Sequence, residues 1–333
     1  VKFNILDLLH RDDLQQQVEH AEGNKEKEGQ LRAGNAGIML PDGNLAGSCP
    51  RLAYLRLKGI DLPADEDRAV MFEFGRQNEV ILIDKLKRQF KDSLVITGDD
   101  VNSINWKLPS GRTVSGRPDI VIADKSGKPL VVLEAKMICS LWTGKSVRLE
   151  NAPKLPHLIQ AAHYASKLAC PCKLVYIQSV DFQIPWGGAI KWPEQGSPEG
   201  ACIEYKVRDQ KVGKGPTAKT QRVACAQKLL PGRKVYDVEM HEGSIRYRDE
   251  QSSSFWTVTP ITQEGIEGYY EHIDRMEAKG DLGPRPLALK GCGDFESYVP
   301  CDYCDLKAAC DKYEGKPVLW LAEAAKVAAE KNK

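Results

Sequence analysis

Three charged residues, Asp119, Glu134 and Lys136, sit on two short apolar runs joined by a turn. The first run is Gly116-Arg117-Pro118-Asp119-Ile120-Val121-Ile122, and the second is Leu130-Val131-Val132-Leu133-Glu134-Ala135-Lys136. The connection Asp124-Lys125-Ser126-Gly127-Lys128-Pro129 is rich in turn formers, so the segment reads as a β-hairpin. If the hairpin is symmetric about Ser126 and Gly127, Asp119 lies opposite Glu134, and Lys136 points to the same side of the sheet. Two carboxylates a cross-strand distance apart can hold a divalent cation, and a neighbouring lysine can stabilise hydroxide or developing phosphorane charge. That donor set suits metal-dependent phosphodiester hydrolysis.

The elements around the hairpin must bring further ligands to it. A helix from about 70 to 90 places Glu79, Ile83, Leu86 and Phe90 at i, i+4, i+7 and i+11, so Glu79 falls in line with an apolar stripe. A carboxylate there needs a partner, and beside the hairpin it is a candidate third metal ligand. Gly47-Ser48-Cys49-Pro50 reads as a helix start with Ser48 as N-cap and Pro50 in the first turn. Residues 156–168 read as a helix carrying Gln160 and Tyr164 one turn apart, followed by a strand over 174–178. Strands are expected over 234–240 and 254–258, and a helix over 262–279. Helix, hairpin, helix and strand in this order make an α/β core.

Ten cysteines in 333 residues are unevenly placed. Cys301, Cys304 and Cys310 form C-x2-C-x5-C, a compact trio of thiols with one ligand missing, for which Cys49 and Cys292 are candidates. Spacing alone fits zinc or an iron–sulfur cluster; a remote ligand such as Cys49 favours a cluster that clasps the two chain ends. Cys139, Cys170, Cys172, Cys202 and Cys225 read as small buried apolar residues. The clustering reads as metal ligation in a reducing, intracellular compartment.

Apolar residues make up 42% and charged residues 28%, with a formal net charge of +1. Near-neutrality excludes neither nucleic acid nor metal, since acidic catalytic groups offset a basic groove. No apolar run approaches the ~18 residues that span a bilayer. Residues 1–46 read as a polar arm. From 187 to 234 the pattern loosens into a basic insertion, where Lys206, Arg208, Lys211, Lys214, Lys219, Arg222, Lys228, Arg233 and Lys234 face a single acid, Asp209. Such a run is a solvated surface or a phosphate-contacting edge. Trp186, Trp192 and Trp256 are candidates for base stacking or for the core.

These features together resemble the PD-(D/E)XK nuclease superfamily, specifically its RecB-like branch with an iron–sulfur cluster. Pro118-Asp119 with Glu134-Ala135-Lys136 resembles the signature motif, and Gln160-Ala161-Ala162-His163-Tyr164 resembles the Q-x-x-x-Y motif. Cys49-Pro50-Arg51 with Cys301, Cys304 and Cys310 is similar to the branch's one-plus-three cysteine clasp. Gly75-Arg76-Gln77-Asn78-Glu79 departs from the branch's G-x-x-x-H by placing glutamate where histidine is usual, a harder ligand suited to Mg2+ or Mn2+.

The resemblance implies a restriction-endonuclease-like core, a central mixed β-sheet flanked by helices, with an iron–sulfur-stabilised helical region. It spans 47–312, followed by a helical tail over 313–333. It implies that Glu79, Asp119, Glu134 and the Ala135 carbonyl hold Mg2+ or Mn2+, and that Lys136 orients the attacking water. Gln160 and Tyr164 would position the DNA backbone, and Cys49, Cys301, Cys304 and Cys310 would hold a [4Fe–4S] cluster. The implied activity is exonuclease action on single-stranded DNA ends, 5′-to-3′ being favoured, in replication, recombination or repair. The chain has no G-x-x-x-x-G-K-[ST], so a helicase or recombination partner would be a separate chain. The alternatives are a catalytically degenerate nucleic-acid-binding module, an endonuclease of the same fold, a zinc-stabilised scaffold, and a hydrolase of another phosphodiester.

Overall fold

The computed structural model describes residues 31–35, 37–60, 66–90, 94–97, 103–149, 151–184, 189–190, 203–212, 219–251, 254–282, 304 and 306–312. Its centre is a seven-stranded mixed sheet. The strands are β4 (Leu94–Thr97), β7 (Ile120–Ala123), β8 (Pro129–Met137), β9 (Cys172–Gln178), β14 (Gly232–His241), β15 (Ser244–Asp249) and β16 (Thr257–Thr262). Their spatial order is β16-β15-β14-β9-β8-β7-β4. Every neighbouring pair is antiparallel except β8 and β9, which run parallel. A parallel pair needs a crossover. Here it is supplied by α3 (Leu141–Gly144) and α4 (Leu155–Leu168).

The alternation of β8 sorts its residues between two layers. Val132 belongs to the larger core cluster, while Leu133 packs with Ile120, Ile122, Val175 and Ile177 in a second cluster on the other face. Leu82, Ile83 and Leu86 of α2 (Glu66–Gln89) cover that second cluster. Helix α4 covers the first. Pro156 starts it and Ala169, in a left-handed conformation, ends it. Leu155, Leu158, Ile159, Ala161, Ala162, Tyr164 and Ala165 are all buried, so α4 is enclosed on most sides instead of presenting one apolar stripe. Truncating Leu158 to alanine would cost roughly 2–5 kcal/mol at such a site.

Smaller pieces close the far side of α4. Strand β1 (Leu31–Arg32) runs parallel to β6 (Thr113–Gly116), which pairs with β5 (Ile104–Lys107). The hairpin of β2 (Gly37–Met39) and β3 (Leu45–Gly47) packs against α5 (Gln263–Lys279). A Cβ on Gly37 would stand 2.3 Å from the Tyr269 ring, so this close approach admits only glycine. Thr262 caps α5 by accepting the Gly265 N–H at 3.1 Å. Lys58, just past α1 (Pro50–Leu57), pairs with Glu277 of α5 at 2.9 Å, and Arg112 joins Asp274 and Glu277.

Several sequence expectations change. Residues 31–46 are not part of a polar arm: Leu31, Ala33, Ile38 and Ala46 are buried core. The low hydrophobicity of the preceding segment had masked three short strands. Cys49, not Ser48, is the N-cap of α1. The insertion is regular structure where it is described. β10 (Phe182–Gln183), β11 (Ala189–Ile190) and β12 (Ile203–Val212) all pair antiparallel with β13 (Lys219–Leu229). Strand β15 went unrecognised because charged Arg246, Arg248 and Asp249 interrupt its apolar residues. Residues 1–30 and the tail over 313–333 lie outside the described residues.

Candidate active site

The hairpin register pairs Ile120 with Leu133 and Val121 with Val132. Continued by one residue, it sets Asp119 opposite Glu134, as symmetry about Ser126 and Gly127 requires. An irregularity between Ile122 and Ala123 absorbs the turn. Asp119 Oδ2 accepts the Ala135 N–H at 2.7 Å, and Glu134 Oε1 accepts from Lys136 Nζ at 2.5 Å. Glu134 is only 1% exposed, and its second oxygen, Oε2, is buried with no hydrogen-bond partner.

Half-buried Asp119 and buried Glu134 are both shifted towards their neutral forms. Burial raises the Asp119 pKa and outweighs the opposing pull of Lys136, the Ala135 N–H and Arg117. Burial also raises Glu134, against Lys136 and with Asp119 adding repulsion. Burial alone would lower Lys136, but Glu134 and Asp119 hold it above its ordinary value, so it stays cationic.

A pocket of about 630 Å3 opens between the hairpin and α2. Gly75, Arg76, Asn78 and Glu79 line it from α2, facing Asp119, Ala135, Lys136, Met137, Cys139 and Ile177. Its size is that of a small-ligand site. Gly75, Asn78 and Glu79 stand at i, i+3 and i+4, one face of the helix. Asn78, which sequence reasoning passed over, docks that face: its Nδ2 lies 3.3 Å from Met137 Sδ, and its Oδ1 accepts from Ser179 Oγ at 2.9 Å. Cys139, expected to be buried, is exposed at this pocket. Glu79 and Asp119 thus share a wall-to-wall pocket with Glu134 buried beside it. Among the described residues, however, no three His, Cys, Asp or Glu side chains stand close enough together to hold a metal ion.

Buried Glu134 keeps one oxygen, Oε2, without a hydrogen-bond partner beside half-buried Asp119, an arrangement that a bound cation would satisfy.

Gln160 and Tyr164 form a brace. Gln160 Nε2 donates to the Tyr164 hydroxyl at 3.1 Å, and that hydroxyl donates to the Arg117 carbonyl at 3.2 Å. Both are buried, and neither lines the pocket. A Cβ at Gly116 would meet the Tyr164 ring at 2.7 Å, so this glycine lets the ring reach the turn that carries Asp119. Burial, helped by nearby Glu134, raises the Tyr164 pKa far above the phenol range, leaving a neutral donor. His157, 3.0 Å from the Tyr176 hydroxyl, is pushed down to about 3 by burial and by Lys136 and Lys154. His163 is likewise pushed to about 3 by burial and Lys167. Neither is a base near neutral pH.

Of the basic run, Lys206, Arg208 and Lys211 lie on β12, and Lys219 and Arg222 lie on β13, with Arg222 opposite Asp209. Lys214, Trp186 and Trp192 lie outside the described residues. Trp256 packs against Arg246 and Arg248, whose guanidinium carbons stand 4.6 and 4.8 Å from its ring centroid.

Cys49, the N-cap of α1, comes close to Cys304 and to Cys310 of α6 (Lys307–Lys312). Burial raises the Cys49 pKa, the backbone N–H groups of Leu52 and Arg51 oppose this, and the two neighbouring thiols add to it. Arg51, 2% exposed, donates from Nη1 to Cys310 Sγ at 3.4 Å. Cys301 and Cys292 lie outside the described residues.

No family model matches the chain, and no curated protein matches it. Among solved structures, an alkaline exonuclease from Laribacter hongkongensis is similar over 47% of this chain and 74% of that one, at 14% identity and a TM-score of 0.28. Among the described residues, no helix is long and apolar enough to cross a membrane.

Proposed function

We propose that this chain is a metal-dependent DNA nuclease, an exonuclease acting on single-stranded ends. One observation carries the reading: half-buried Asp119 lines a pocket beside buried Glu134, Lys136 lies against both, and Glu134 Oε2 has no hydrogen-bond partner. A stable scaffold gains nothing from that arrangement; a cation-dependent site does.

Asp119 and Glu134 would hold Mg2+ or Mn2+, with Glu79 and the Ala135 carbonyl as further ligands from across the pocket and from the strand. A bound divalent cation supplies an acidified water and neutralises phosphate oxygens. Lys136, kept protonated by its two acids, orients the attacking water and offsets charge gathering at phosphorus. Gln160 and Tyr164 act one step back, fixing the Arg117 carbonyl and hence the approach of Asp119. The basic strands β12 and β13 contact the DNA backbone. Cys49, Cys301, Cys304 and Cys310 would hold a [4Fe–4S] cluster, which would tie α1 to the C-terminal segment. Degradation from 5′ ends, beside a separate helicase or recombination protein, is the form the motif resemblance supports.

The test is digestion of end-labelled single- and double-stranded DNA with Mg2+ or Mn2+, run beside Lys136→Ala. Cleavage by the wild type and not by the variant supports the reading, and the order of product release gives direction. A wild type that cleaves no DNA with either metal sinks it.

A further inference from the structure

Trp142 is the most exposed tryptophan among the described residues: it is 73% exposed, whereas Trp106 is 9% exposed and Trp256 is half-buried. It stands on α3, three residues beyond Cys139 of the pocket wall. Three residues of chain extend at most about 11 Å, so the ring is within reach of the pocket mouth. Its backbone is firmly seated. Ser140 Oγ accepts the Thr143 N–H at 3.2 Å and donates to Thr143 Oγ1 at 3.0 Å. Gly144 is buried, and a Cβ there would stand 2.6 Å from Leu229 Cδ2 and 3.4 Å from Gln178 Oε1, so α3 rests directly on the end of β9. In the π-helical turn Lys145–Leu149 that follows, the Val147 carbonyl accepts from the Tyr236 hydroxyl at 2.6 Å and Arg148 donates to Gln178 at 2.7 Å. A large ring held in water on so fixed a base does nothing for the core.

Lys145, one turn on, places its Nζ 5.2 Å from the centroid of the Trp142 ring, so a flat π face and a positive charge stand together. A protein partner's anchor lies in a contiguous apolar patch, but Ser140, Thr143 and Lys145 beside this ring are polar. An unpaired base needs only the flat ring, and the phosphate next to it needs the cation. We propose that Trp142 is a stacking platform for an unpaired base of single-stranded DNA, with Lys145 taking the adjoining phosphate. The proposal rests on the reading that the neighbouring pocket accepts a DNA strand, and it names what holds the strand there. Bases in a duplex cover one another's faces, so only an unpaired base can take the ring. Selection of single strands is thus made at Trp142, a binding residue separate from Lys136.

The experiment measures binding by the full chain, in EDTA so that no strand is cut, to a fluorescent oligothymidylate, an abasic strand of equal length and a duplex. Wild type, Trp142→Ala, Trp142→Phe and Lys145→Ala are compared, and a thermal midpoint is recorded for each. Trp142→Ala should bind oligothymidylate about tenfold more weakly or worse, the scale of one lost base–aromatic stack, with Trp142→Phe within a few-fold of wild type. Its affinity for the abasic strand and the duplex, and its thermal midpoint, should match wild type, which a structural role for the ring would not allow. Lys145→Ala should weaken binding of both single strands a few-fold and flatten its salt dependence. Equal binding of oligothymidylate by wild type and Trp142→Ala would overturn the proposal and leave the ring to a protein partner. An equal loss on the abasic strand, or a wild type that binds no single strand, would overturn it too. A wild type that binds through Trp142 yet cleaves no DNA once Mg2+ or Mn2+ is supplied would sink the nuclease reading and leave the stacking site standing.

Discussion

The two halves of the seven-stranded sheet both carry acids beside bases, and they obey opposite electrostatics. Near β7 and β8, burial wins: Asp119 and Glu134 are raised in spite of Lys136. On β14, burial pushes Asp237 up too, but hydrogen bonds from Lys173 at 2.7 Å and Arg248 at 2.9 Å outweigh it and hold the carboxyl below its ordinary value. Glu250 extends this network through Lys173 at 2.6 Å, and Glu239 pairs with Arg246. One cluster has more anionic oxygen than it has donors; the other is balanced. An imbalance kept inside a fold marks a place where something else is meant to bind, whereas a balanced network serves only the fold.

The strongest way to break this contrast is Lys136→Ala. DNA cleavage should fall by at least about 100- to 1000-fold, the scale of losing one preorganised electrostatic group, while circular dichroism shows an intact fold. Loss of fold together with activity would place Lys136 in the balanced class.

A paired substitution sharpens the contrast further. Asp237→Asn, which strips two ionic hydrogen bonds, should destabilise the protein by about 1–3 kcal/mol in urea titration at neutral pH, with cleavage unchanged. Asp119→Asn should abolish cleavage and leave the metal-free protein as stable as wild type, or more so, because desolvation outweighs the partners of the charge that is removed. The pH dependence of Asp237 follows from its depressed folded pKa. Its contribution is present above the unfolded carboxylate value and disappears as pH falls through the folded one.

The smallest effect concerns two histidines, half-buried His157 and buried His163. His157 and His163 titrate near 6.5 when unfolded and about 3 when folded. Between those values the unfolded chain binds more protons, so stability declines as pH drops from about 6.5 towards 3. Each histidine contributes up to about 1.4 kcal/mol per pH unit. His163→Phe should remove one share of that slope, seen by comparing denaturant midpoints at pH 7 and pH 5. An unchanged slope would mean that the ring is already protonated or hydrated in the fold.

Much of the hairpin geometry was legible before the fold. The turn residues fixed the hairpin register to the residue, because side chains alternate and a slip of one would have sent Glu134 to the face covered by α2. Helix α4 and strand β9 followed from strong apolar runs. The basic hairpin β12–β13 was opaque, since alternating charges hide a strand whose apolar face is thin. The pocket itself was only half visible: Glu79 and Asp119 stood out as charges, but Asn78, Met137 and Cys139 join them through tertiary packing that no local pattern encodes. Q-x-x-x-Y was readable as a pair one turn apart, yet its burial behind Arg117 needed the positions of Gly116 and Ala33.

The parallel pairing of β8 with β9 has a further consequence for biogenesis. Strand β8 gains its second neighbour only when the chain through Gln178 has emerged from the ribosome and the intervening α3 and α4 have folded back over the sheet. Until then the Glu134–Lys136 edge is open on that side, so a nascent or truncated chain ending before β9 holds these residues on an unpaired strand edge.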